Sequence, residues 1–116
     1  MHRVWYAATE FLTDDRIAEA LMEYASVLAV VDSADVVHIP GLDGSGVLRR
    51  IGLIVGPASQ IVTMQTDDEH VDMNVAEAVD DLRTRARDRL PSSQRLAEFG
   101  ATLAEQAEGR APQDGE

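Results

Sequence analysis

The chain has 116 residues, with 21 Asp and Glu against 10 cationic side chains that are all arginine, for a formal net charge of -11. Such a surface repels phosphate backbones and anionic lipid headgroups, so direct nucleic-acid binding and membrane attachment are not expected. There is no cysteine, which excludes disulfides, thiolate metal sites and a cysteine nucleophile, and the length fits one domain with its own core.

The first residues, Met1 to Tyr6, carry no long apolar region, and Glu10, Asp14 and Asp15 follow closely. A secretory signal is therefore not expected, and no apolar run reaches the roughly 18–20 residues of a membrane span. With cysteine absent as well, the cytoplasm is the expected location.

Residues 3–9 read as a first strand, in which Val4, Tyr6 and Ala8 alternate with Arg3, Trp5, Ala7 and Thr9. Both of its faces are partly apolar. Thr13 is the expected N-cap of a first helix over about 14–30, with Asp14 and Asp15 at the positive end of its dipole. Ile17, Leu21, Tyr24, Leu28 and Val31 form its apolar stripe, and Ala18, Met22, Ala25 and Ala29 a second row.

Three strands are expected next. Asp35 to Pro40 is short and stops at a proline that cannot donate to a ladder. Val47 to Val55 is the longest and follows the flexible turn Gly41–Gly46. Ser59 to Thr66 follows Gly56-Pro57. Hairpins would join them as an antiparallel meander. Asp67 to Asp72 is expected to open a second helix with Val71, Val75, Val79, Leu82, Ala86 and Leu90 on its buried side. Its acids lie early and Arg83, Arg85, Arg87 and Arg89 late, as the macrodipole favours. Pro91 ends it. Ser92 or Ser93 would cap a third helix carrying Leu96, Phe99, Leu103 and Ala107, and the polar residues 109–116 read as a disordered tail.

The expected fold class is thus α+β: one domain over 1–108, a mostly antiparallel four-stranded sheet in β-α-β-β-β-α-α order, and helices packed on one face. The strand order is not readable. An uncovered aromatic first strand would be an aggregation hazard. Either a symmetric partner across Trp5 or Tyr6, or the third helix folded over it, would cover it.

Five groupings are candidates for chemistry or binding. Asp67, Asp68, Glu69, His70 and Asp72 hold metal-binding side chains, but no second histidine stands at the i+4 spacing, so an acidic helix start is the expected reading. Gly41–Gly46 has the glycines of a phosphate loop, but a strand follows where a helix N-terminus is needed, so it reads as a hairpin loop. His38 faces away from Val37 and Ile39, on the side of Val36. Ser59 and Gln60 follow a tight turn without the flanking glycines of a nucleophile elbow. Arg49, Arg50 and the four helical arginines read as ion-paired surface rather than one patch.

No metal or cofactor fingerprint and no nucleophile–base pair appears, so no enzyme activity is read from the chain and no cofactor is expected. The leading expectation is a protein-interaction module, assembled as a homodimer, whose acidic surface favours a basic protein partner. Its candidate contact or pocket residues are Trp5, Tyr6, His38, Arg49, Arg50, Ser59 and Gln60. One alternative is a small-molecule-binding or catalytic domain. Its pocket would lie between sheet and first helix, with His38, Arg49 or Arg50 at the mouth. The other is an acidic regulator, antitoxin-like or a DNA mimic, built on the dense acids between Asp67 and Asp81.

Overall fold

A computed structural model describes residues 1–90. The expected third helix and the tail lie outside the described residues. Within them the order is β1 (His2–Tyr6), β2 (Thr9–Thr13), α1 (Asp15–Val30), β3 (Asp35–Leu42), β4 (Leu48–Val55), β5 (Ile61–Gln65) and α2 (Val75–Arg89). The class is α+β, as expected, with a single antiparallel sheet. However, the sheet has five strands in the order β4-β3-β2-β1-β5.

The extra strand comes from residues 3–9, read above as one strand. They turn back at Ala7-Ala8, and β1 pairs antiparallel with β2 from His2↔Thr13 to Tyr6↔Thr9. Ala7 adopts a left-handed backbone with φ 54°. Hairpin turns demand that conformation and usually recruit Gly, Asn or Asp for it. No such residue marks this turn.

The expected meander is also corrected. β3 and β4 form a hairpin, with Asp35↔Val55 through Leu42↔Leu48. β5 does not pair with β4; it crosses to β1 and pairs with it from His2↔Gln65 to Tyr6↔Ile61. The sheet therefore consists of two ladders, β4–β3 and β2–β1–β5, joined at the single register pair Leu12↔Leu42. Gly41 lies at this join. A Cβ there would come within 2.9 Å of the Leu12 carbonyl oxygen and 2.7 Å of Ile51 Cδ1, so the bare Cα is what lets β3 meet β2. The Tyr6 hydroxyl donates to the Ile54 carbonyl and ties the two ladders a second time.

One face of each ladder feeds a common core. Val4, Phe11, Val37, Ile39, Leu53 and Val55 are buried together with Ile17, Leu21, Tyr24 and Leu28 of α1 and Leu82 of α2. The first helix has the expected bounds and stripe, but its second row is only partly covered: Met22 is exposed, while Ala20 and Val27 are buried on the opposite flank. Its N-cap is Asp14, whose carboxylate accepts from Arg16 N at 2.8 Å. Thr13 instead ends β2, where its hydroxyl donates to the Pro40 carbonyl at 2.9 Å.

The second helix starts at Val75, well after the acidic run. Asn74 sits at φ 38°, ψ 51° and breaks any right-handed path through it. Ahead of it, residues 67–74 form an irregular strap that drives Met73 into the core and packs Val71 against it. The acidic run is thus not a helix start.

Candidate interaction surface

Strand alternation sends every second side chain away from the helices. In β3 and β4 the outward positions are Val36, His38 and Pro40 opposite Ile54, Gly52 and Arg50. In β1 and β5 they are Arg3 and Trp5 opposite Met64 and Val62. Four large apolar side chains on this outer side stay half exposed or more: Val36 at 50%, Ile54 at 61%, Val62 at 56% and Met64 at 58%. They form two register-opposed groups, Val36 with Ile54 and Val62 with Met64 beside Trp5. Among the described residues no element packs over them, since both helices lie on the inner face.

The two edges of the sheet differ in chemistry. β4 is guarded at its start by Arg49 and Arg50, the kind of charge that discourages edge pairing. β5 has no ionisable side chain, and none occurs anywhere from Ile51 to Thr66. β5 is thus an unguarded edge inside a strongly acidic protein.

The backbone of β5 can be phased. Thr66 N donates to the Met1 carbonyl at 2.9 Å, and that pair continues the β1–β5 register. Hydrogen-bonded pairs alternate along an antiparallel ladder. Val62 and Met64 therefore turn their N–H and C=O groups towards β1. Ile61, Thr63 and Gln65 turn theirs to the open edge.

The candidate residues read from the sequence separate into three places. Trp5 is half-buried on the outer face next to Val62. Tyr6 points inward and is used to tie the ladders. β1 lies between β2 and β5, so the first strand is not the uncovered edge. Ser59 serves its own turn, accepting from Gly56 N and donating to the Ile54 carbonyl, both at 3.1 Å. Gln60 is exposed beside it.

His38, Arg49 and Arg50 do come together. With Ile39, Pro40 and Leu48 they line one side of an open cleft of about 530 Å³, and Asn74, Glu77, Asp81 and Arg85 line the other. This cleft lies between the β3–β4 hairpin and α2, not against the first helix as expected. Its charges are largely spent. Arg49 bonds Asp43 at 3.0 Å, and Arg85 bonds Asp35 at 2.8 Å and Asp81 at 3.0 Å. Arg49 and Arg50 are successive on β4 and leave the strand in opposite directions, although both border the cleft.

The other arginines of α2 are likewise engaged: Arg89 bonds Ser33 at 2.5 Å, Arg87 bonds Thr84 at 3.2 Å and Arg83 lies 3.9 Å from Glu23. His70 approaches Asp14 at 3.4 Å rather than its acidic neighbours. Among the described residues no cluster of His, Asp and Glu is arranged to hold a metal ion, and no helix is long and apolar enough to cross a membrane.

No protein-family model matches the chain, and no curated protein or solved structure is significantly similar to it. The chemistry of its surface is therefore the only guide to function.

β5 is legible in the sequence as an element, but its place in the sheet is not. Ile61, Val62 and Met64 were legible as strand residues, and the absence of charge from 51 to 66 was visible. Only the crossing of β5 to the far side of β1 makes that stretch an exposed edge.

Proposed function

We propose that the chain is a protein-interaction module that acts through the outer apolar face of its sheet and assembles as a homodimer. The observation carrying this reading is the exposure of Val36, Ile54, Val62 and Met64 on one side of the sheet. Large apolar side chains scattered singly are ordinary, but grouped ones mark contact sites. The cleft beside α2 is the weaker candidate, because Arg49 and Arg85 are already paired within the protein and only Arg50 is left without a partner among the described residues.

The strong negative charge favours a basic partner. Acids outside the apolar groups would steer its approach, and the apolar side chains would hold it. Binding of this kind is expected to weaken with salt in its rate of association more than in its lifetime.

The test compares capture by the wild-type chain with capture by a Val36→Asp/Ile54→Asp double variant, each immobilised and exposed to lysate of the source cell. Both positions are solvent-facing but directly opposed, so the like charges should lower the melting temperature modestly without unfolding the variant, and its retained fold is checked by circular dichroism. Loss of a stoichiometric partner in the variant supports the reading. An identical set of captured proteins would count against the outer face.

A further inference from the structure

We infer that the open edge of β5 pairs with the same edge of a second copy, antiparallel and about a two-fold axis through Thr63. This rests on the interaction-module reading and specifies its homodimer. A strand edge that is exposed, apolar on one face and free of charge pairs with another strand unless something prevents it. β4 has its arginines, whereas among the described residues nothing guards β5.

The backbone phase restricts the register, and full use of the edge selects one. The groups free to bond outward belong to Ile61, Thr63 and Gln65. Two copies related by a two-fold axis satisfy them when Thr63 faces Thr63 and Ile61 faces Gln65, each such pair exchanging both N–H···O=C bonds. Val62 then lies opposite Met64 of the other copy at the closer, non-hydrogen-bonded sites. These are apolar pairs on the outer face, flanked by Trp5. A one-residue slip would set these outward groups against groups already bonded to β1, and a two-residue slip would leave one of the three outward residues unpaired, so the axis through Thr63 pairs the most.

Charge also bears on the choice of a second copy. Each copy carries a net charge of -11, so two copies can approach closely only along a neutral strip. β5, with no ionisable side chain from Ile61 to Gln65, supplies one. The inner face is less favourable: Glu19 and Glu23 of α1 lie beside Thr63 around a shallow depression, with Met22 between them. Across the axis these acids face their counterparts. The dimer is therefore held by strand pairing and apolar contact against a screened repulsion, and added salt tightens it.

Sedimentation of the full chain across micromolar concentrations, with and without added salt, provides the first measurement. A dimer that strengthens with salt is expected. Thr63→Pro deletes the central outward N–H while leaving the β1-facing groups untouched, and should weaken dimerisation about tenfold or more. Thr63→Cys serves as a second variant that does not depend on proline being tolerated. The axis places the two Cα atoms about 5.5 Å apart, within disulfide reach. Since the chain has no other cysteine, Thr63→Cys should oxidise to a covalent dimer far faster than Ile54→Cys. A monomeric wild type at every concentration overturns the pairing. So does a dimer indifferent to Thr63→Pro whose Thr63→Cys form does not cross-link. A dimer lost instead in Val36→Asp/Ile54→Asp overturns the β5 edge but leaves the interaction module standing.

Discussion

The Tyr24 hydroxyl donates a 2.6 Å hydrogen bond to the Asp35 carboxylate, which also receives Arg85 at 2.8 Å. This contact joins α1, β3 and α2 at one point, with Arg89 3.6 Å away. Burial opposes ionisation of Asp35. The bonds from Tyr24 and Arg85 outweigh it, so the carboxyl titrates below its ordinary range. Burial, reinforced by the Asp35 carboxylate, pushes the Tyr24 phenol up to about 12.

The two shifts give opposite pH limits. Asp35 has a depressed folded-state pKa, so its contribution is present above the unfolded value of about 3.9 and is lost as pH falls through the folded value. Tyr24 has a raised one, so its contribution is present below about 10 and is lost as pH rises from there towards 12. At about 1.4 kcal/mol per pH unit, the alkaline loss is about 2–3 kcal/mol. Chemical denaturation at pH 8 and pH 11 should show about half of this loss, about 1.4 kcal/mol, in the wild type and a much smaller one in Tyr24→Phe. At neutral pH Tyr24→Phe should itself cost about 1–2 kcal/mol, because Asp35 loses a donor but keeps its arginine. Equal alkaline slopes in the two proteins would remove Tyr24 as the cause.

Gly41 is expected to tolerate no side chain. A methyl group there meets the Leu12 carbonyl, Ile51 and Phe11 at under 3 Å, and the backbone oxygen cannot swing away as a side chain would. Gly41→Ala should therefore destabilise by about 1–3 kcal/mol in urea titration. A neutral result would mean that the two ladders join with more room than the single Leu12↔Leu42 pair implies.

Ala7→Gly should stabilise the protein. Ala7 holds a left-handed backbone that costs an alanine about 1–2 kcal/mol and a glycine nearly nothing, set against the glycine's greater entropy when unfolded. The net expectation is a gain of about 0.5–1 kcal/mol. Thermal denaturation checks it, and a lower melting temperature would contradict the turn geometry.

Leu28 and Met22 provide a contrast on one helix. Leu28 is fully buried and Met22 is 37% exposed beside the β5 depression. Leu28→Ala should cost about 2–5 kcal/mol, Met22→Ala under about 1 kcal/mol. Equal costs, measured by urea titration at a concentration where the chain is monomeric, would mean the helix is rotated from this placement.

The sequence by itself determined the elements that depend on local periodicity and punctuation. The α1 stripe Ile17, Leu21, Tyr24 and Leu28 follows from 3.6-residue spacing, and the β3–β4 hairpin from alternating residues around a glycine-rich turn. The faces of Val37, His38 and Ile54 follow from the same alternation. The tertiary structure decided whatever depended on a residue adopting an uncommon backbone or on a strand choosing its neighbour. Ala7 enters a left-handed conformation that no local signal announces, whereas Asn74 is of a residue type that tolerates it. β5 pairs with β1 rather than with β4, its neighbour in the chain. Pairing of that kind is a non-local choice, settled by which apolar faces are buried together. The same choice turned an uncharged stretch into the open edge on which the proposed assembly rests.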